Sequence, residues 1–102
     1  MSSEKKQVRE RFRSAVLKRD GNRCRACGAK GELDAHHVTD RNEFENGGYV
    51  LENGIALCPI CHEKAEEWHK SGGASFVAGY RPEDLYGLIG SSLEKAIEAD
   101  KN

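Results

Sequence analysis

Aromatic residues and long apolar runs are what this sequence most conspicuously lacks. It holds one tryptophan, three tyrosines and three phenylalanines, and 37% of its 102 residues are hydrophobic. A core built from so little is thin, and the length suits a single small domain. No apolar stretch approaches the ~20 residues of a membrane helix, which excludes a spanning segment of that kind. Nor does the chain open on the apolar run of an export signal, because Met1 to Lys30 is densely charged. The expected setting is therefore cytoplasmic, where thiols stay reduced and disulfides are rare. Internal repeats are absent too. A domain this small needs a staple other than its core, and the sequence has four cysteines with which to make one.

The net charge of -1 hides a strong asymmetry. Met1 to Lys30 carries ten Lys/Arg against three acids, and the other 72 residues carry six against fourteen. A basic arm on an acidic body is the footprint of a phosphate-backbone contact at one end, although a solvated helix face has the same composition. Arg9, Arg13, Lys18, Arg19, Arg23 and Arg41 are the candidate nucleic-acid contacts.

Val8, Phe12, Ala15 and Val16 recur at helical spacing among Lys5, Lys6, Arg9, Arg11, Arg13, Lys18 and Arg19, which predicts an amphipathic basic helix that Asp20-Gly21 stops. Leu33 to Val38 reads as a short strand. Thr39 to Tyr49 reads as a loop, reversed at Asn46-Gly47-Gly48. Gly54 to Leu57 is a second strand, and Pro59 opens a helix running to about Lys70. Further helices are expected from Pro82 and after Ser91-Ser92-Leu93-Glu94, a capping-box pattern.

The cysteines form two C-x-x-C pairs, Cys24/Cys27 and Cys58/Cys61. The two-residue gap lets both thiolates of a pair reach one tetrahedral ion, so two pairs read as one structural zinc site. Such a site contributes on the order of 10 kcal/mol to folding, comparable with the whole stability of a small domain. Unpaired thiols or a redox pair are the bland alternatives. Between the pairs lies His36-His37, and His62 follows Cys61 directly. Neighbours on a regular strand point to opposite faces, so His36 and His37 share a site only at a strand end or bulge. His62 falls in the first turn of the helix from Pro59. The positive helix end there disfavours imidazolium, leaves a nitrogen for a metal and attracts an anion.

Cys24-x-x-Cys27, Asp34-Ala35-His36-His37-Val38, Gly47-Gly48, Asn53-Gly54-Ile55-Ala56-Leu57 and Cys58-Pro59-Ile60-Cys61-His62 together resemble the HNH endonuclease family over about residues 22 to 70. The resemblance implies an α+β fold: a ββα-metal core with a four-cysteine zinc knuckle, preceded by a basic helix (1–21) and followed by a C-terminal helical extension (71–102). It implies metal-dependent hydrolysis of DNA phosphodiester bonds, leaving 5′-phosphate and 3′-hydroxyl ends. By position, His37 is then the general base, His36 and His62 are ligands of the catalytic divalent metal, and Asn53 either orients the base through loop hydrogen bonds, the favoured role, or joins the metal shell. Mg or Mn is the expected catalytic ion, and a histidine at position 36, where relatives often have Asp, also suits Ni, Co or Zn. The chain departs from the family at Gly54, where a bulky aliphatic residue is more usual, and looser packing beneath that loop is expected.

Glu66 and His69 share a helical face with His62 and could extend the metal shell or touch DNA, with a solvated face as the simpler reading. Trp68 is expected to pack against the strand layer. Leu85, Leu88, Ile89, Leu93 and Ile97 read as ordinary helix packing, with a dimer contact as the alternative, so monomer and homodimer both stay open. By resemblance, freestanding domains of this kind belong to phage or mobile elements, with a larger partner protein supplying targeting. DNA is the expected partner and RNA an alternative. The competing reading is a zinc-stapled nucleic-acid-binding module without catalysis.

Overall fold

The computed structural model describes the backbone from Ser2 to Asn102 and side chains from Lys5 onward; Met1 of the N-terminal helix lies outside the described residues. The elements run α1 (Ser2–Arg19), β1 (Asp34–His37), β2 (Gly54–Leu57), α2 (Pro59–Lys70), α3 (Pro82–Leu88) and α4 (Leu93–Lys101), with short 3-10 turns at Arg41–Glu43 and Leu51–Asn53. The fold is mixed α and β, as expected from the sequence. No helix among the described residues is long and apolar enough to cross a membrane.

β1 and β2 pair antiparallel, with His36 opposite Ile55 and His37 opposite Gly54. Every residue of β2 is buried, because α1 covers one side of it and the rest of the core the other. On the α1 side, Phe12 and Val16 pack against Ala56. Val8 and Ala15, expected on the same stripe, are exposed instead, and among the described residues α1 packs inward through Phe12, Val16 and the partly buried Leu17. The larger cluster gathers Leu33, Val38, Ile55, Leu57, Ala65, Leu85, Tyr86 and Ala96. Each large aliphatic side chain fully buried there is worth about 1.5–3 kcal/mol, and few are available.

Gly54 overturns the expectation of loose packing. A Cβ there would collide with Val16 Cγ2 and would lie 2.7 Å from the Phe12 ring. A bulky residue is missing because α1 fills its place.

Asp20 ends α1 and ties it to the sheet. Its buried carboxylate accepts from Arg19 at 2.8 and 2.9 Å, from Arg25 at 3.2 Å and from the Ala56 amide at 2.9 Å. The next segment is hung on the edge of β2 by a bond from the Arg25 amide to the Ala56 carbonyl. Cys24 and Gly28 close that segment into a tight turn, with Gly28 at φ 82°. Cys58 caps α2 and Pro59 takes its first position, so both cysteines of the second pair sit at the helix start.

Two sequence expectations shift here. Trp68 is half-buried and meets Phe76, ring centroids 6.2 Å apart, rather than the strand layer. The cap of α4 is Ser92, which accepts from the Lys95 amide, while Ser91 donates to the Glu52 carbonyl. Leu88 and Leu93 of the C-terminal apolar stripe are exposed, and Leu85 is buried.

Candidate metal centre and catalytic cleft

Two groups of metal-ligating side chains come together among the described residues: Cys24, Cys27, Cys58 and Cys61, and His36, His62 and Glu66. In each group the ligand atoms lie within 4.8 Å of one another.

The four sulfurs are joined from two directions, the knuckle turn and the start of α2. Zn–S bonds of about 2.3 Å in a tetrahedron put sulfurs about 3.8 Å apart. Cys27 Sγ and Cys58 Sγ stand 3.7 Å apart. Burial opposes ionisation of Cys24, yet hydrogen bonds from backbone amides around Cys58, Cys27 and Ala26 bring its thiol down to about 6. Burial, together with the neighbouring sulfurs, pushes Cys61 up to about 12. Four thiolates cannot all ionise side by side unless a divalent cation offsets their charge, so the set fits zinc. The Tyr80 hydroxyl lies 3.2 Å from Cys61 Sγ, placed to donate to that thiolate.

The second group lines a cleft of about 230 Å³ with Ala35, His37, Asp40, Arg41 and His69. The strand geometry sends the histidine pair to opposite sides. His36 turns toward α2, its ring 5.1 Å from that of His62 and 5.3 Å from that of His69. His37 turns toward α1, stacked on Phe12 at 4.5 Å and edge-on to Tyr49 at 4.8 Å. Because β1 ends at His37, both rings still border the same cleft.

Glu66 is the centre of the polar contacts. Its Oε1 lies 3.4 Å from His36 Nδ1 and 3.3 Å from His62 Nε2. The reading of Glu66 as a solvated face is thereby corrected: packing α2 on β1 carries its carboxylate between two imidazoles. The polar contact with His36, more than any other influence, lowers its carboxyl to about 2. Asp34 Oδ2 stands 3.3 Å from His62 Nδ1, a placement that holds the proton on that nitrogen and leaves Nε2 for a ligand. The two Glu66 separations exceed a normal hydrogen bond, as expected of ligand atoms arranged around a shared point.

Among the described residues, His36 Nε2 and His37 Nε2 are buried without a hydrogen-bond partner. An unmet buried nitrogen costs about 1–3 kcal/mol, and folds retain such groups where a ligand completes them. Burial, with Arg41 nearby, lowers His37 to about 4, so its imidazole is neutral at pH 7. His36 is lowered as well, chiefly by burial. The His36 and His62 imidazoles with the Glu66 carboxylate fit a divalent cation, and the unmet His37 nitrogen beside them stays outside that set.

Residues 24–67 match the family described as HNH endonuclease. That segment is similar to HNH endonucleases and spans less than half of the chain. No curated protein and no solved structure matches the chain at a comparable level. The HNH match runs from the first cysteine into α2 and so contains both ligand groups and every lining residue of the His37 cleft except His69. It supports a nuclease-type function with metal binding, and acts as the frame for the remaining sequence-identified residues.

Asn53 is fully buried, outside the cleft wall, and spends its amide on the loop after His37. Arg9, Arg13 and Arg41 border a second hollow on the α1 side of His37, together with Phe12 and Tyr49. Arg13 donates to the Leu33 carbonyl and Arg41 to the Tyr49 hydroxyl, each at 3.1 Å. Arg19 is committed inside the fold: besides Asp20, its guanidinium donates to the carbonyls of Leu51 and Gly54, so it is not available for a phosphate. Lys18 lies on the far face of α1 beside Arg11, and Arg23 is exposed near the knuckle. Sequence reading did not find Tyr80, Tyr86 or Asp100, which carry no spacing signal relative to the histidines.

Proposed function

We propose that this chain is a metal-dependent HNH endonuclease that hydrolyses DNA phosphodiester bonds. The observation that carries the reading is the convergence of His36, His62 and Glu66 on the cleft that the neutral His37 also borders. His36, His62 and Glu66 would hold the catalytic divalent cation, Mg or Mn first, with Ni, Co and Zn also accommodated by two imidazoles. Such an ion, when bound, offsets charge on the phosphoryl and leaving oxygens.

The chain's own residues do the rest. His37 has its Nε2 without a partner and its proton already lost at neutral pH, so it takes the proton of the attacking water. Phe12 and Tyr49 hold the ring from two sides, which fixes its direction and keeps its environment apolar. Asp34 sets the tautomer of His62. Arg41, Arg9 and Arg13 border the neighbouring hollow and bind backbone phosphates on either side of the scissile bond. Asn53 is a positioning residue, acting on the loop that follows His37. The four cysteines keep zinc and serve the fold. The whole chain works as one nuclease unit, on DNA ahead of RNA, with little surface for reading bases and products ending in 5′-phosphate and 3′-hydroxyl.

Purified protein given supercoiled plasmid with Mg, Mn or Ni tests this reading directly. Metal-dependent conversion to nicked circles is the expected result. Tight binding of plasmid with no nicking in any of the three ions sinks it and leaves a zinc-stapled binding module.

A further inference from the structure

The HNH match ends at residue 67, yet the hydrogen bonds behind the cleft are completed by residues of the last two helices. Every polar atom of the Asn53 side chain is used. Its Oδ1 accepts from the Thr39 amide at 3.0 Å and from the Tyr86 hydroxyl at 2.8 Å. Its Nδ2 donates to the carbonyls of Thr39 at 3.1 Å and Gly48 at 3.2 Å. The Tyr86 hydroxyl also meets Thr39 Oγ1 at 2.7 Å. Thr39 is two residues past His37, and the Val38 amide between them donates to the Asn53 carbonyl at 2.9 Å.

The opposite end of this network is anchored on α4. Asp100 is 6% exposed and accepts from the amides of Asn46 at 2.9 Å and Gly48 at 2.8 Å. Its own carbonyl accepts from Asn46 Nδ2 at 2.8 Å. Gly47 and Gly48 have φ of 84° and 68°, which turns the loop amides inward around the carboxylate. A Cβ on Gly48 would lie 2.6 Å from the Phe44 ring and 2.8 Å from Asn53 Nδ2. Gly48 is therefore closely packed in this conformation, and Asp100 ties two of the loop's amides to α4.

We propose that Tyr86 and Asp100 are positioning residues for the reaction: through Asn53 and Gly48 they hold the backbone after His37 and so set the direction of the base. This rests on the reading of His37 as the base. Apolar packing alone would bury these helices as well, but it would leave the loop free to slide. A fully satisfied buried network allows one geometry. A general base displaced by about 1 Å loses on the order of 10²-fold in rate, so the network has a direct catalytic consequence.

Tyr86→Phe removes one hydroxyl and keeps the buried ring, and Asp100→Asn removes one acceptor and keeps the shape. Both variants are expected to lower kcat for plasmid nicking by roughly 10-fold or more, with KM and zinc content unchanged. Ile97→Ala is the control, since Ile97 packs on the core and has no part in the network. At matched loss of Tm it is expected to retain its kcat. The ring nitrogens of His37, followed by NMR in the zinc-loaded protein, give a readout independent of cleavage. One sharp set of signals is expected in the parent and Ile97→Ala, and shifted or doubled signals in Tyr86→Phe and Asp100→Asn. Unchanged His37 signals in both network variants overturn the proposal, as does an equal fall of kcat in Ile97→Ala. A parent protein that never nicks defeats the nuclease reading instead, and the His37 signals then still decide whether the network sets the ring.

Discussion

Gly54→Ala adds one methyl group at a backbone position that any residue can adopt, φ -119° and ψ 142°. Taken alone, that change stabilises by about 0.4–1 kcal/mol, because the unfolded chain loses freedom. The packing opposes it: the new Cβ meets Val16 Cγ2 and the Phe12 ring, whose nearest atoms are 2.7 and 2.8 Å away. Overpacking of this kind costs about 1–3 kcal/mol, so the clash wins by roughly 1–2 kcal/mol. For a domain of this size that lowers Tm by roughly 5–15 °C, measured by thermal unfolding with zinc in excess. The Val16→Ala background removes the nearest collision, and there the cost of Gly54→Ala shrinks by about 0.5 kcal/mol or more. Nicking falls as well, since Phe12 stacks on His37 and must give way. A Gly54→Ala protein as stable as the parent, with no coupling to Val16, would refute the account of how α1 seats on the strands.

Other perturbations have distinct signatures. Stripping zinc with a chelator unfolds the chain, and Cys27→Ser lowers both zinc retention and Tm, followed by circular dichroism and metal analysis; a folded metal-free protein contradicts the staple. Glu66→Gln keeps one zinc per chain but weakens the exchangeable ion about 10-fold or more by calorimetry, whereas an exposed spectator carboxylate leaves it unmoved. Arg41→Ala and Arg9→Ala weaken DNA binding and each flatten its salt dependence by about one unit of slope. Arg19→Ala lowers Tm and leaves that slope alone, because Arg19 serves the Asp20 knot.

The parts of this fold legible from sequence are those fixed by neighbours. The C-x-x-C gaps bring the two sulfurs of each pair together locally, and Pro59 marks the start of α2 at the observed residue. Gly54 to Leu57 reads as a strand because four apolar or small residues lie between turn signals, and its observed bounds agree. The first strand is shorter than Leu33 to Val38, since pairing stops where Gly54 meets His37. What the sequence hides depends on long-range placement. Glu66 joins the histidines only once α2 lies across β1, and an i,i+4 relation to His62 could not separate that from a wet face. Arg19 looks like its basic neighbours until Leu51 and Gly54 arrive from 32 and 35 residues away. Asp100 meets Gly48 across 52 residues, beyond the reach of any local pattern.

The central claim is that His37 removes the proton while the other cleft residues hold an ion. His37→Ala, assayed for plasmid nicking alongside calorimetry for the exchangeable metal and for DNA, tests it most directly. The account expects a loss of about 10²–10⁴-fold in nicking, partial recovery with added imidazole, and metal and DNA affinities within a few-fold of the parent. Nicking at the parental rate, or a loss matched by the disappearance of metal binding, would contradict it.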